Sequence, residues 1–559
     1  MIEVSAARVR YRDGEPAALD GIDLRIERGS VVALVGSNGS GKSTLAQLLC
    51  GMRLADEGRC IVDGIDPARG ADDRREVRRA VGLVRQHPSD QIVSTVVADE
   101  VAFGPRNLGL GLDEVARRVE AALGAVGLDG FIDRDTGALS GGEQQLLALA
   151  GVLAMEPSYL VLDEASSMLD STARPAFRAL VRSLAAKRGV GVIQVTHDPV
   201  EVLGSDRAVV LDGGRVVFDG EPAALLSERS GLWDRTVVRS PLVEALRAVH
   251  GLGCAPSACC DPELAVERLI ASYGRGEVAR EEVGRVRRLL GGEARDRAGR
   301  GDAGRTREAP CVRLRGVSFS YGDGARALDA VDLEVAAGEV LLVAGRSGSG
   351  KSTLACVASG LLPADAGKVL VGGRAPRVGE VGVAFQRPED QLFCESVRDE
   401  LAFAPRNLGC DPDETSRRVE RACALAGIGP ELLDRYPFDL SGGQARRVAV
   451  ASVVALGAAA YLLDEPTAGL DAAGRGALHA LARDLARSGA AVAVISHDLE
   501  EWLGEADRAV LMGSGRIVWE GAPEDLVRSP GAFEAAGMRP PLSIELAARL
   551  GRALEGDAR

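Results

Sequence analysis

The sequence carries no excess of positive charge and no apolar run long enough to cross a membrane. Its 67 lysines and arginines stand against 81 aspartates and glutamates, a formal net charge of -14, which argues against a surface that coats nucleic acid. The longest apolar run, residues 448–463, is broken by Ser452 and Gly457 and falls short of the roughly 20 residues of a membrane span. We expect no transmembrane helix, and any membrane part must come from other chains.

Histidine is scarce and cysteine follows no framework. The ten cysteines are mostly scattered, which fits a reducing cytosol better than a disulfide-linked fold. Cys254, Cys259 and Cys260 could bind metal, but His250 is the only histidine near them, so linker thiols are the favoured interpretation. The first four residues have neither a basic nor an apolar region, and we expect no signal peptide.

The chain is a tandem repeat. Gln86 and Gln386 are 300 residues apart, as are His197 and His497. The repeats predict a first domain at 1–253 with a helical tail and a second at 311–559 with its own tail. Between them, residues 254–310 form a linker, helical from 261 to 290 and then rich in Gly, Arg, Asp and Ala, a composition typical of a flexible segment.

Each repeat contains a glycine-rich loop between an apolar strand and a helix, at residues 36–43 and 345–352. Backbone N–H groups of such a loop converge on phosphate oxygens, the lysine reaches the β- and γ-phosphates, and the following serine holds Mg²⁺. The residues expected to bind the nucleotide here are Gly36, Ser37, Asn38, Gly39, Ser40, Gly41, Lys42, Ser43 and Thr44, and Gly345, Arg346, Ser347, Gly348, Ser349, Gly350, Lys351, Ser352 and Thr353.

An apolar strand ending in two carboxylates follows in both repeats. Asp163 and Asp464 are expected to hold Mg²⁺, directly or through water, together with Ser43 and Ser352. The next residues, Glu164 and Glu465, would act as general bases on the attacking water. Upstream, a Leu-Ser-Gly-Gly turn opens a helix at 139–142 and at 440–443, where hydroxyl, amides and helix dipole can face an anion.

This order of motifs resembles the ATP-binding-cassette (ABC) ATPases with two nucleotide-binding domains. The resemblance implies two α/β domains, each with a RecA-like core, an antiparallel β subdomain and a helical subdomain, closing head to tail around two ATP molecules. It implies one composite site formed by Lys42, Ser43, Gln86, Asp163, Glu164 and His197 with Ser441, Gly443 and Gln444. The other would use Lys351, Ser352, Gln386, Asp464, Glu465 and His497 with Ser140, Gly142 and Glu143.

By the same resemblance Gln86 and Gln386 take part in catalysis and help to hold Mg²⁺, and His197 and His497 match the histidine that contacts the γ-phosphate. Tyr11 and Tyr321 match the aromatic residue that stacks on adenine. Packing at a strand end is the alternative role for the tyrosines. The repeats differ at Leu146, where the second has Arg447, and in the loops 165–170 and 466–471. Both sites keep lysine, glutamate and histidine, so we expect both to hydrolyse ATP, at rates that can differ.

A finer resemblance comes from the shared pattern Gln-x-Pro-x-Asp-Gln at 86–91 and 386–391 and the segments 99–109 and 399–409. It is similar to the ATPases of energy-coupling factor (ECF) transporters, which take up vitamins and transition-metal ions such as cobalt and nickel, here with both ATPase subunits fused. That implies a membrane scaffold protein, a substrate-binding membrane subunit, and a location on the cytoplasmic face of the cell membrane. The residues expected to line the scaffold-binding surface are Gln86, Asp90, Gln91, Gln386, Asp390 and Gln391.

The glutamines expected at the scaffold-binding surface have an alternative role, because they could simply cap the helical subdomain.

Two other functions of the chain remain open. It could energise a different importer, such as one for sugars, although there one half usually loses catalytic residues. A soluble tandem-cassette protein, such as a ribosome-associated translation factor, would have a long basic helical hairpin between its cassettes. The segment 261–290 is short and the chain is acidic, which disfavours that reading.

Overall fold

The computed structural model describes residues 1–12, 16–167, 169–227, 231–238, 240–255, 259–291, 310–322 and 324–556. Most of the expected flexible linker therefore lies outside the described residues, as does Met168 in the loop after the first acidic strand. Contacts divide the chain into two compact units. The first holds Met1–Arg239, Val249–Ala265 and Asp471–Ala473, and the second holds Ser240–Ala248, Val266–Leu470 and Gly474–Arg559.

The first repeat forms an α/β domain. Its elements in chain order are β1 (Ile2–Val9), β2 (Leu19–Ile26), β3 (Val31–Val35), α1 (Lys42–Leu49), β4 (Glu57–Val62), α2 (Ala71–Ala80), β5 (Val81–Val84), α3 (Val97–Asn107), α4 (Leu112–Val126), α5 (Gly141–Leu153), β6 (Tyr159–Asp163), α6 (Ala173–Arg188), β7 (Gly191–Val195), α7 (Pro199–Leu203), β8 (Arg207–Asp212), β9 (Arg215–Gly220), α8 (Pro222–Ser227) and α9 (Leu232–Thr236).

Among the described residues, α10 (Pro241–Gly251) forms the tail of the first repeat, and α11 (Pro262–Gly274) and α12 (Arg280–Leu290) follow it in the linker. The second repeat then follows the order of the first. The second repeat comprises β10 (Pro310–Ser320), β11 (Arg326–Ala336), β12 (Val340–Gly345), α13 (Lys351–Ala358), β13 (Ala366–Val371), β14 (Val381–Ala384), α14 (Val397–Asn407), α15 (Pro412–Ala426), α16 (Gly442–Ala455), β15 (Ala460–Asp464), α17 (Ala472–Arg487), β16 (Ala491–Ile495), α18 (Leu499–Trp502), β17 (Arg508–Gly513), β18 (Arg516–Gly521), α19 (Pro530–Ala535) and α20 (Leu542–Gly556).

Each unit contains a six-stranded sheet and a three-stranded antiparallel sheet. The larger sheets have the strand orders β5-β6-β7-β3-β8-β9 and β14-β15-β16-β12-β17-β18, and only the last strand of each is antiparallel to its neighbour. The central strands β3 and β7 are buried along their whole length. Strands buried on both faces read as continuous apolar runs, which is why these segments are so rich in valine, isoleucine and leucine.

Strand order brings the motifs of one repeat to a common edge. In the first unit β6, β7 and β3 are neighbours and parallel, so the phosphate loop, the acidic pair and the histidine all follow the carboxyl ends of adjacent strands. The second unit repeats this arrangement with β15, β16 and β12. Ligands in parallel α/β sheets bind in the crevice at this edge.

A helical subdomain completes each unit. Helices α3, α4 and α5 pack together in the first, and α14, α15 and α16 in the second. The core, the antiparallel sheet and the helical subdomain confirm the expected fold of each repeat. The long apolar run at 448–463 divides between α16 and β15. None of the helices in the described ranges combines the length and the apolar content needed to cross a membrane.

Candidate functional site

The lysine of each phosphate loop is buried within that loop. Lys42 Nζ donates hydrogen bonds to the carbonyl oxygens of Gly36 and Ser37 at 2.6 and 2.9 Å. Lys351 makes the two equivalent bonds at 2.8 and 2.9 Å. Burial lowers the pKa of Lys42, and the nearby Glu164 carboxylate partly offsets that effect. The lysine ammonium group thus lies at the centre of the loop, where phosphate oxygens would be its natural hydrogen-bond acceptors.

Glycine is required where the loop enters its helix. Gly41 has φ 103° and Gly350 has φ 98°, in the left-handed region. A Cβ atom at Gly41 would lie 2.5 Å from the Ala18 carbonyl oxygen, and one at Gly350 would lie 2.3 Å from that of Ala327. Neither position therefore accepts a side chain, and the loop backbone stays open to a ligand.

Each loop also holds a buried serine hydroxyl with no hydrogen-bond partner among the described residues. These are Ser40 Oγ and Ser349 Oγ, in residues that are 2% and 4% exposed. Buried hydroxyls are normally paired, since leaving one unpaired costs about 1–3 kcal/mol. Two such hydroxyls at the same loop position fit a ligand that brings hydrogen-bond acceptors, as a phosphate does.

The first carboxylate of each acidic pair contacts the serine that follows the loop lysine. The Ser43 hydroxyl lies near Asp163 and lowers the pKa of that carboxyl, and Ser352 has the same effect on Asp464. Burial raises the pKa of both carboxyls, that of Asp464 to about 6. A carboxylate and a hydroxyl in contact are hard oxygen donors of the kind that a divalent cation prefers. A bound cation would favour the ionised carboxylates.

The second carboxylate follows its strand in a strained conformation. Glu164 has φ 50° and Glu465 has φ 48°, a region that costs a residue other than glycine about 1–3 kcal/mol. Each amide donates to the end of the neighbouring strand, to Val195 O and to Ile495 O, at 2.9 Å in both units. Strain that both repeats retain at one position is typical of a functional constraint.

The two histidines contact their glutamates differently. His197 Nδ1 donates to the Thr236 carbonyl oxygen at 2.8 Å, because a carbonyl can only accept, and its Nε2 lies 3.6 Å from Glu164 Oε1. His497 Nδ1 instead donates directly to Glu465 Oε1 at 2.7 Å, and its amide donates to the same oxygen at 2.8 Å. Burial alone would raise the pKa of Glu465, but His497 holds it below its ordinary value.

The predicted glutamine joins this group in the first unit. Gln86 Nε2 donates to Glu164 Oε2 at 2.9 Å, so the structure brings Gln86, Glu164 and His197 together as expected. The glutamine loop is braced by a second predicted residue, because Gln91 donates to Leu83 O at 3.2 Å and accepts from Arg85 N at 3.1 Å. Those bonds give Gln91 a structural role within its own loop.

Sequence reasoning missed Arg446, which ties three functional loops together. Its guanidinium donates to the carbonyl oxygens of Ala468, Gln386 and Glu465 at 2.6, 2.7 and 2.9 Å. The side chain therefore holds the glutamine loop, the general-base candidate and the loop after the acidic strand in one arrangement. Gln145, the equivalent residue of the first repeat, donates only to Arg85 O, at 3.0 Å, among the bonds described.

Sequence comparison singled out the neighbouring position, 146 and 447, as the informative difference between the repeats. Arg447, however, is only partly buried, and its one described side-chain hydrogen bond is to Gly427 O, at 3.4 Å. The difference between Gln145 and Arg446 is thus the one that touches the site. The sequence does show a change of residue type at this position, from Gln145 to Arg446. It does not show the contacts of Arg446, because these are to backbone atoms far apart in the chain.

A buried polar cluster supports the loop after the second acidic strand. Glu501 Oε2 accepts from Thr467 Oγ1 and from Arg475 Nη1, both at 2.9 Å, and Glu501 Oε1 lies 3.0 Å from His479 Nε2. Burial alone would raise the pKa of Glu501, but Arg475 and His479 lower it. In the first unit burial raises the pKa of the equivalent Glu201 above its ordinary value.

The Leu-Ser-Gly-Gly turns open α5 and α16 as predicted. Ser140 and Glu143 form a capping box, in which Ser140 N donates to Glu143 Oε2 at 2.8 Å. Ser441 and Gln444 form the same box at the second helix, with Ser441 N donating at 3.0 Å. These serines and glycines thus lie at helix N-termini, which favour anions. Their part in a composite nucleotide site stays a prediction.

The predicted stacking tyrosines are anchored through their hydroxyls and remain half exposed. Tyr11 OH lies 3.2 Å from Thr44 Oγ1, and Tyr321 OH lies 3.0 Å from Thr353 Oγ1, each beside its phosphate loop. The Arg53 guanidinium covers one face of the Tyr11 ring at 4.0 Å from the centroid. An anchored ring with open area suits stacking on a base, and this role also stays a prediction.

Similarity to known proteins agrees with this geometry. The model of the ABC transporter family matches residues 19–167 and 328–468, more than half of the chain. A Bifidobacterium longum protein is 37% identical over 90% of this chain, which spans 64% of that protein's length. A Methanosarcina mazei protein is 34% identical over 96% of this chain and 91% of its own. Both bear the name "Putative ABC transporter ATP-binding protein".

Solved structures match one repeat at a time. One is cbiO1 from Clostridium perfringens, described as part of the ABC transporter complex cbiONQ, with 35% identity, a TM-score of 0.38, and coverage of 41% of this chain and 91% of that one. Another is the dimeric ATP-binding cassette MJ0796 in a post-hydrolysis state with ADP and Pi, with 27% identity, a TM-score of 0.38, and coverage of 40% and 99%.

Proposed function

Because this chain belongs to the ABC transporter family and carries two ATPase cassettes, we propose that it energises an ECF-type uptake transporter for a vitamin or a transition-metal ion. The observation that carries this proposal is the repeated segment Gln-x-Pro-x-Asp-Gln at 86–91 and 386–391, followed in both repeats by Pro-Arg-Asn-Leu-Gly. Its membrane partners would be a scaffold protein and a substrate-binding subunit, and it would act at the cytoplasmic face of the cell membrane.

In this proposal each ATP is bound by one repeat's phosphate loop and the other repeat's Leu-Ser-Gly-Gly turn. Lys42 and Lys351 exchange their loop carbonyl partners for phosphate oxygens. Ser43 with Asp163, and Ser352 with Asp464, would hold Mg²⁺, which would neutralise phosphate charge. Because ATP bridges two surfaces, its binding would close them and its hydrolysis would release them.

The glutamates supply the general bases of the reaction. Glu164 and Glu465 would take a proton from the attacking water, each held in place by its strained backbone and its histidine. Gln86 contacts Glu164 directly, so a ligand that reorganises the glutamine loop also acts on the base. This contact offers a physical connection between a docked membrane partner and hydrolysis.

The docking surface for the scaffold would lie beside the glutamine loops. Phe393 and Phe403 pack edge to face at 4.7 Å, yet they remain 60% and 43% exposed. At the equivalent positions of the first repeat, Val93 and Phe103 are exposed too. Exposed apolar side chains rimmed by polar residues such as Gln91 and Asp390 are typical of protein-binding surfaces.

The test compares two matched double variants during gentle-detergent purification from native membranes. Phe103→Ser with Phe403→Ser removes apolar contact from the proposed surface, whereas Val217→Ser with Val518→Ser alters a slightly less exposed pair on β9 and β18. We expect the native chain and the valine variant to retain a scaffold protein and small hydrophobic subunits. The phenylalanine variant should lose them while still binding ATP.

The copurifying chains also discriminate among functions. Small hydrophobic subunits would identify the cargo, because the cassettes themselves never contact it. A sugar-importer membrane pair would contradict the ECF assignment. Ribosomal proteins, with nothing from the membrane fraction, would contradict the transport function and leave the ATPase assignment intact.

A further inference from the structure

The two tyrosines expected to stack on adenine lie in different surroundings. The Tyr11 ring carries the guanidinium of Arg53 on one face, with Cζ 4.0 Å from the ring centroid. The Tyr321 ring instead meets the ring of Phe319 edge to face, with 5.1 Å between the two centroids. The two sites share their phosphate-binding groups, so this difference concerns the place where the base is expected to bind.

The backbone has the same arrangement at the two positions that create this difference. Arg53 N donates to Gln47 O at 3.2 Å, and Leu362 N donates to Cys356 O at 3.1 Å, which makes Leu362 the equivalent of Arg53. Leu362 packs against the apolar core of its own unit. The stacked cation therefore comes from a change of side chain in the first repeat, and not from a different loop.

The Tyr11 ring is held at its hydroxyl and along one face. Arg53 Nη1 donates to the carbonyl oxygen of Arg10, the residue before Tyr11, at 3.3 Å. At the far end of the ring, Tyr11 OH lies 3.2 Å from Thr44 Oγ1. Tyr11 nevertheless keeps 52% of its surface exposed. One face of a fixed aromatic ring is thus left open to a flat ligand.

Arg53 approaches this ring from the end of α1 that lies away from the phosphate loop. The loop enters α1 at Lys42, whereas the amide of Arg53 is bonded to Gln47, close to the last helical residue, Leu49. An α-helix of this length, eight residues, extends for about 12 Å. The guanidinium therefore covers the ring face turned away from the loop, and the open face is turned toward the phosphate-binding groups.

We propose that Arg53 is a positioning residue for the adenine of the nucleotide bound at the first site, and that it acts through the Tyr11 ring. The faces of aromatic rings are negative, which opposes the stacking of one ring directly on another. A guanidinium on the far face draws this negative charge toward itself, so the open face accepts a base more readily. This inference rests on the proposed stacking role of Tyr11 and is independent of the ECF assignment.

The test compares the binding of ATP with that of inorganic tripolyphosphate, which has no base. The full-length chain carries Lys351→Ala throughout, so that binding at the first site dominates. Arg53→Leu, which installs the residue type of the second repeat, should weaken ATP binding about two- to five-fold and leave tripolyphosphate binding and the unfolding temperature unchanged. The matched control is Arg59→Leu, which removes the same charge from an exposed position on β4 and should change neither affinity.

A double-mutant cycle with Tyr11→Ala separates this inference from the proposed stacking role itself. Tyr11→Ala should weaken ATP binding, and Arg53→Leu should then have no further effect, because the ring through which it acts is gone. Unchanged ATP affinity in Tyr11→Ala would overturn the stacking role and the inference together. If Tyr11→Ala weakens ATP binding while Arg53→Leu leaves it unchanged or tightens it, only the role of Arg53 is overturned.

The tripolyphosphate measurement distinguishes action through the ring from simple attraction of charge. Equal weakening of ATP and tripolyphosphate binding by Arg53→Leu would overturn the proposal, because the guanidinium would then act on the phosphates and not on the base. Weakening of ATP binding alone supports it.

Discussion

Replacing Arg446 with glutamine should impair the proposed general base of the second repeat, Glu465, more than it impairs ATP binding. Arg446 is 7% exposed and pairs with three backbone carbonyls, including that of Glu465 itself. Glutamine occurs naturally at this position in the first repeat, as Gln145, and fits that environment with one described bond. The substitution therefore keeps a side chain that the fold accepts and removes the bridging.

The expected magnitude follows from the carbonyls left without a donor. If glutamine restores one bond of three, two acceptors lose their partner at about 1–3 kcal/mol each. The affected loops border solvent, so we expect the free energy of unfolding to fall by about 2–4 kcal/mol. Should about 1.4 kcal/mol of that loss fall on the strained Glu465 conformation in the transition state, turnover drops tenfold.

Urea denaturation and single-turnover ATP hydrolysis measure the two effects, with ATP binding measured separately. The control is Arg447→Gln, the same substitution one residue further along, where the side chain is only partly buried and has one described hydrogen bond, of 3.4 Å. That variant should change the free energy of unfolding by less than about 0.5 kcal/mol and leave turnover unchanged. If Arg446→Gln and Arg447→Gln behave alike, the bridge across the three loops has no role in positioning Glu465.

Three other predictions concern matched pairs. Glu465→Gln and Glu164→Gln should each retain ATP binding and lower turnover at least 100-fold at their own site; wild-type turnover in either would exclude its glutamate as the base. Glu501→Gln should lower the free energy of unfolding by about 3–5 kcal/mol at pH 7, because the depressed pKa of Glu501 gives stability that is present above its ordinary pKa and lost as pH falls. Glu201→Gln should lower the free energy of unfolding far less at pH 7, because the raised pKa of Glu201 means that its charged form destabilises the fold more as pH rises. Equal losses in the Glu501 and Glu201 variants, measured by urea titration at pH 5 and 7, would contradict this. Tyr321→Ala should weaken ATP binding about tenfold or more and Tyr321→Phe only slightly, if the ring stacks on adenine; a lowered unfolding temperature with unchanged ATP affinity would favour the packing role instead.

Local patterns predicted most of the fold. The parallel strands can be recognised in the sequence as apolar runs, because both their faces are covered. The phosphate loops can be recognised by their glycines, because the backbone at Gly41 and Gly350 leaves no room for a Cβ atom. Residues of the same type at the same place in both repeats, such as Glu164 and Glu465, could be found by comparing the halves of one chain. The structure then placed them beside their predicted histidines.

Long-range bonds to backbone atoms escaped prediction. A carbonyl oxygen is present at every residue, so nothing in the sequence indicates that Arg446 would select those of residues 386, 465 and 468. The sequence does not reveal the different partners of His197 and His497 for the same reason. His197 Nδ1 donates to the Thr236 carbonyl oxygen, whereas His497 Nδ1 donates to the Glu465 side chain. Motifs that occur in both repeats therefore predict which groups are present at the site, but they do not predict which groups form hydrogen bonds with each other.

The packing of α12 against α20 has a consequence for anyone who divides this gene into two. Helix α12 precedes the second repeat, yet its buried stripe of Val283, Val286 and Leu290 belongs to the compact unit that contains α20. A cut placed in the region 292–309 would leave Val283, Val286 and Leu290 on the N-terminal fragment. The C-terminal fragment would then contain α20 without the helix that packs against it. A cut near residue 256 would let the C-terminal polypeptide keep α11 and α12, so the division that keeps α12 with α20 lies before the linker helices and not after them.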